Sequence, residues 1–149
     1  MLFKTNIIIN WPVSKAFDAM QNPAMMQKVA WPLVIFKAIN PSPFPQRWQD
    51  GSNYTMKMYL LGFLPMGWQK LEISSEHNTA QNTYTLKDVG PGWAVKWWNH
   101  KVTLKPVAEN STQYEEELVL TTGILGPIVW IGMTLLFSWR KYRWLQLTK

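Results

Sequence analysis

His100 and Glu116 are the two side chains whose types and positions could move a proton inside an apolar setting. Lys101, Thr103 and Lys105 mark the polar face of one extended segment. A strand period of two then gathers Trp98, His100, Val102 and Leu104 on the opposite face. In the following segment the same rule groups Thr112, Tyr114, Glu116, Leu118 and Leu120. If Leu104 pairs with Thr112 across the hairpin, His100 lies opposite Glu116, whereas a register shift of two separates them. A histidine and a carboxylate facing each other in an apolar cavity could anchor a ligand's polar end or act as acid and base. The plainer alternatives are a structural His–Glu hydrogen bond, or a Glu116 that faces outward with Glu115 and Glu117.

Other catalytic chemistry is sparse. The chain shows no nucleophile elbow, phosphate-cradling glycine loop, metal-ligand spacing or paired-carboxylate motif. It has no cysteine, which removes disulfides, thiol nucleophiles and thiolate-bound metals. No metal or cofactor is expected. His77, in the polar run Ser74 to Asn78, reads as solvated.

A second constellation is hydrophobic. Tyr54, Met56 and Met58 share one strand face, and Met20, Met25 and Met26 fall on short helical segments. Methionine adapts to irregular surfaces. For any one of these residues ordinary core packing suffices, but together they suit a plastic lining for a lipid-like or polycyclic guest. The expected lining is Tyr54, Met56, Met58, Trp98, His100, Tyr114 and Glu116.

Length and composition fix what must carry these residues. With 149 residues, 47% hydrophobic and 16% charged, the chain fits one domain over residues 1–149 with a substantial core. The N-terminus runs directly into a strand pattern without a basic and apolar leader, so a cytoplasmic location is the default expectation. The net charge of +6 admits nucleic acid or an anionic membrane surface as partner. Most lysines alternate with apolar residues along strands, and no helix-turn-helix or RNA-binding strand motif accompanies them, so nucleic acid is not expected.

The elements follow from periodicity and turn residues. A strand covers about Thr5 to Asn10. Two short helices follow, Ser14 to Met20 with Ser14 as its cap and about Ala24 to Val29, separated by Asn22-Pro23. Strands then cover Leu33–Ile39, Ser52–Leu61, Trp68–Ser75, Asn82–Val89, Trp93–Lys105 and Thr112–Thr121. Pro127 suits the first turn of a final helix reaching about Thr148. The predicted fold is α+β, an antiparallel sheet of about seven strands gripping a long C-terminal helix.

That helix is apolar on two sides. Ile128, Ile131, Leu135, Trp139 and Tyr142 form a stripe expected to face the sheet. The opposite side carries Val129, Met133, Leu136 and Phe137, then Arg140, Lys141 and Arg143. It is expected to meet internal cover, a second copy in a homodimer, or a peripheral membrane surface. Leu118–Trp139 lacks charge, but its first residues continue a strand and Gly123–Pro127 is turn chemistry, so a membrane span is not expected.

In its element order the chain resembles the SRPBCC, or START-like, helix-grip superfamily. Trp48-Gln49-Asp50-Gly51 is similar to that family's W-x-x-G segment before a strand. Trp98–Leu104 resembles the W-x-H-x-h-x-h strand of one bacterial branch, and Thr112–Gly126 its last strand and G-x-L-G lead into the helix. Tyr114 stands where that branch usually has an acid, and Glu116 where it usually has an apolar residue. The resemblance implies a curved sheet wrapped around the C-terminal helix and a hydrophobic ligand or lipid held between them. Binding, for transport or sensing, is the preferred expectation. A cyclase or isomerase using His100 and Glu116, or a membrane-surface or ribosome-associated module, are the alternatives.

Overall fold

The computed structural model describes all 149 residues. It holds β1 (Leu2–Ile9), α1 (Val13–Met20), α2 (Pro23–Ala30), β2 (Val34–Asn40), β3 (Asn53–Leu60), β4 (Leu64–Asn78), β5 (Thr83–Gly90), β6 (Trp97–Ala108), β7 (Ser111–Thr121) and α3 (Gly126–Leu147). The seven strands form one antiparallel sheet in the order β1-β7-β6-β5-β4-β3-β2. The expected α+β helix-grip architecture is therefore present, with both short helices between β1 and β2.

Local chemistry explains the joints. Asn22 caps α2 by accepting a hydrogen bond from the Ala24 amide at 2.9 Å, and Pro23 occupies the first turn, where no amide is needed. Helix α1 starts at Val13, one residue before the predicted cap: Pro12 holds the cap position, and no side chain caps it. β4 begins four residues earlier than expected. Leu61 and Gly62, both at positive φ, turn the chain so tightly that Leu64 already pairs with Leu60. β6 begins four residues later than expected, because Pro91 to Lys96 form an irregular crossing from β5. Gln69 organises that crossing. Its buried amide donates to the carbonyls of Lys70, Gly90 and Pro91 at 3.0–3.2 Å.

The apolar residues form three connected packing groups over the concave sheet face. One lies under α1 around Ile9, Leu104 and Trp144. A second lies under the first half of α3 around Leu118, Met133 and Phe137. A third, around Trp48, Tyr54 and Ile73, lies over β3 and β4.

The orientation of α3 corrects the sequence expectation. Val129, Met133, Leu136, Phe137 and Trp144 are buried against the sheet, whereas Ile128, Ile131, Leu135 and Tyr142 are exposed. Both stripes are apolar through the first half of the helix, so periodicity cannot rank them. The side expected to carry Arg140 outward is the one that meets the sheet. In the fold Arg140 points inward, its side chain only 12% exposed, because a buried acid awaits it. Lys141 does face out, and Arg143 lies along α2, donating to the Lys28 carbonyl at 3.2 Å.

The two sides of α3 should respond oppositely to truncation. Trp144→Ala, at a side chain 2% exposed, should lower stability by about 3–5 kcal/mol. Ile128→Ala, at a residue 71% exposed, should change it by no more than about 0.5 kcal/mol. Urea unfolding of both variants checks this; the reverse ranking would mean that the helix is rotated.

Candidate functional site

The polar centre is built by neighbouring strands and closed by the helix. Asp88 on β5 lies directly across from His100 on β6. His100 Nδ1 meets Asp88 Oδ2 at 2.7 Å, and its Nε2 meets Glu116 Oε1 at 2.7 Å. Trp98 Nε1 donates to the other Asp88 oxygen at 2.6 Å. From α3, Arg140 Nη2 reaches Glu116 Oε1 at 3.1 Å. The result is an unbroken line, Asp88–His100–Glu116–Arg140, across three strands and a helix.

The His100–Glu116 contact, which the sequence made conditional on Leu104 pairing with Thr112, is made through a different register. Leu104 pairs with Tyr114, not Thr112, so Leu118 is the direct partner of His100 and Val102 that of Glu116. The shift of two residues does not separate them. Diagonal neighbours on one sheet face remain within reach of long side chains, and Glu116 spans the gap.

Electrostatics fix the protonation states. Burial alone would pull the His100 pKa down, but Asp88 and Glu116 outweigh it and raise it to about 9. Burial would raise the Glu116 pKa; the charges of Arg140 and His100 overcome this and lower it. For Arg140, burial opposes the charge, while Glu116 reinforces it and raises its pKa. Burial, together with the nearby Glu116 charge, pushes the Tyr114 hydroxyl well above its ordinary range. At neutral pH the line therefore carries two cations and two anions.

Asp88, His100 and Arg140 of this line face a cavity of about 90 Å³ between the sheet, α2 and α3, with Glu116 behind them. Seventeen of its 21 lining residues are hydrophobic, and Asp88, His100, Arg140 and Gln69 are its polar members. Met20, Met25, Met26, Met56, Met58 and Met133 line it, six of the chain's eight methionines. Behind the polar wall, Tyr114 Oη, Glu116 Oε2, Arg140 Nε and Trp144 Nε1 are buried without a hydrogen-bond partner in the protein.

Of the expected lining residues, Met56, Met58, Trp98 and His100 lie on the cavity wall. Glu116 and Tyr114 sit one layer behind it, Tyr114 packed on Trp144 with ring centres 5.5 Å apart. Tyr54 turns away into the Trp48 group, where its hydroxyl accepts from the Gln49 amide. Met133 and Leu136, expected on an outer surface, line the cavity, and Phe137 packs edge-on to His100 at 5.7 Å. Asp88 and Arg140 are site members that sequence reasoning missed. Strand alternation through Tyr84, Leu86 and Asp88 could have found the first, and the helical spacing Met133, Phe137, Arg140, Trp144 the second.

By sequence, neither a family model nor a curated protein matches the chain. By structure, likeness is extensive. A protein from Chromobacterium violaceum superposes with a TM-score of 0.71 at 11% identity, over 99% of this chain and 96% of its own. A START superfamily protein from Mycobacterium smegmatis gives 0.63 at 8% identity, over 99% and 96%. The norcoclaurine synthase of Thalictrum flavum, a point mutant bound to a transition-state analogue, gives 0.61 at 8% identity, over 99% and 93%. The chain has the START-like helix-grip fold; at such identities the fold alone is shared.

The buried line makes stability depend on pH. Because the His100 pKa is raised from 6.5 to about 9, its stabilising contribution is complete below 6.5 and is lost as pH climbs through about 9. The difference corresponds to on the order of 3 kcal/mol. Glu116, with a lowered pKa, contributes above the ordinary carboxylate range and loses its contribution in acid. Denaturant titrations should show a plateau at mildly acidic pH and a decline on the alkaline side, absent in His100→Gln. A wild-type stability that rises between pH 6.5 and 9 would contradict the charge assignment.

Proposed function

We propose that the protein binds a hydrophobic small molecule, or the apolar part of a lipid, in the cavity between sheet and α3 without chemically altering it. The observation that carries this reading is a cavity walled mostly by apolar side chains, six of them methionines, in which only Gln69, Asp88, His100 and Arg140 are polar. Flexible thioethers let the 90 Å³ space expand around guests of different shape.

The polar wall favours a particular kind of guest. Asp88, His100, Glu116 and Arg140 cancel one another's charge, so an ionised guest would leave one charge unpaired in a low-dielectric setting. An uncharged hydroxyl or carbonyl end meets hydrogen-bonding partners there without that cost.

The same geometry weighs against the cyclase or isomerase reading. With both ring nitrogens held by carboxylates and a pKa near 9, His100 is a cation with no free lone pair at neutral pH. It cannot accept a proton as a general base in that state.

Native mass spectrometry of protein purified without denaturation should show a non-covalent adduct extractable into organic solvent. In competition against an environment-sensitive apolar dye, a medium-chain alcohol should bind about tenfold or more tighter than the carboxylate of equal length at neutral pH. His100→Ala should reduce that preference. Absence of any adduct, together with no dye or alcohol binding, would sink the binding reading; tighter binding of the carboxylate would sink the argument from charge balance.

A further inference from the structure

The outward face of α3 is an apolar surface that the cavity does not explain. Ile128, Ile131, Leu135 and Tyr142 recur at spacings of three, four and seven, so they form one continuous stripe, and Ile124 lies in the turn that leads into it. Ile124 is 96% exposed and Ile128 71%. Trp139 extends the stripe to α2, its Nε1 donating to the Trp31 carbonyl at 3.0 Å, and the Trp31 ring is exposed. From there the β3–β4 turn hangs on β2's approach, where the Leu61 amide donates to the Leu33 carbonyl, with Phe63 and Leu64 exposed at its tip.

Charge is segregated on the same elements. No Asp or Glu occurs from Ala19 to Gln49, from Gly51 to Leu71, or from Leu118 to Lys149. These stretches contain α2, the β3–β4 turn and all of α3. Cations edge the stripe: Lys28, Lys141 and Arg143 toward its C-terminal end, and Lys96 beside Gly123 at its start.

We infer that this face docks on the surface of an anionic lipid bilayer, α3 lying in the interface plane. The apolar stripe, rimmed by tryptophan and tyrosine and edged by lysine and arginine, supplies the two attractions such docking needs: burial of apolar side chains and neutralisation of lipid charge. The helix lies on the bilayer and does not cross it, for no helix is long and apolar enough to span. A second copy of the chain fits less well. A two-fold contact sets the same patch against itself, which would bring the cations at the rim together with no acid on either helix to pair them. Docking would place the cavity directly behind the membrane-facing helix, since Met133 and Leu136 on its inner side are cavity wall.

Vesicle flotation with the full chain tests this, using phosphatidylglycerol–phosphatidylcholine vesicles and pure phosphatidylcholine vesicles. The protein should float with the anionic vesicles and far less with the neutral ones, and added salt should weaken the binding. Ile128→Glu with Leu135→Glu should lower the bound fraction by about tenfold or more, because the apolar insertion is lost. Lys28→Glu with Lys141→Glu should lower it by about thirtyfold or more, because two cations are lost from beside the anionic surface and two acids replace them. All these positions are exposed, and unchanged thermal melting of the variants shows that folding is intact. Failure to float with anionic vesicles, or equal floating by the variants, overturns the inference. A concentration-dependent dimer abolished by the Ile128→Glu, Leu135→Glu variant also overturns it and assigns the face to a second copy.

Discussion

A carboxylate at position 116 lies deep in an apolar core, and much of the surrounding structure satisfies it. An isolated buried carboxylate would cost several kcal/mol or take up a proton. Here Glu116 receives His100 from the neighbouring strand and Arg140 from the helix, and His100 in turn needs Asp88 for its second nitrogen. Each partner solves one charge and presents another until the sum is zero. Those requirements also fix geometry. They select the side of α3 that meets the sheet, the rotation at which Arg140 arrives, and the rotamers of three strand residues.

That constraint explains what was legible in the sequence and what was not. The order of elements was legible because strand alternation, Asn22-Pro23 and Pro127 are local signals. The inner faces of β3, β6 and β7 were legible for the same reason: polar residues on alternate positions (Thr55 and Lys57, then Lys101, Thr103 and Lys105, then Gln113, Glu115 and Glu117) leave only one face for the core. The His100–Glu116 contact was legible only as one alternative, tied to a pairing two residues off and to the expectation that such a shift would separate the two side chains. Register depends on the Glu109-Asn110 turn and on a bulge near Pro106, which hydrophobic alternation does not reveal.

The face of α3 was not legible because its two stripes are equally apolar. Resolving them required knowing that a buried acid needed a cation, which is information held on another strand. Asp88 went unnoticed for a related reason: it lies among ordinary strand residues and acquires meaning only when β5 is set beside β6. The cavity, too, is a property of the assembled layers. Its methionines come from both short helices, β3 and α3, which no single segment announces.

The sheet order has a consequence for how the chain reaches its native state. β1 pairs only with β7, so Leu2 meets Val119 and Ile9 meets Thr112. Every other strand finds a neighbour adjacent in sequence, and the meander from β2 to β7 can zip progressively between neighbours. The first strand must wait for the last, so closing this pair spans nearly the whole chain and is the costliest loop to form. Until then Ile7-Ile8-Ile9 is a β-branched segment with bare backbone edges, the kind of segment that recruits other chains. During synthesis it emerges before every other strand of the sheet and is covered last, which makes the β1–β7 edge the point where folding and aggregation compete.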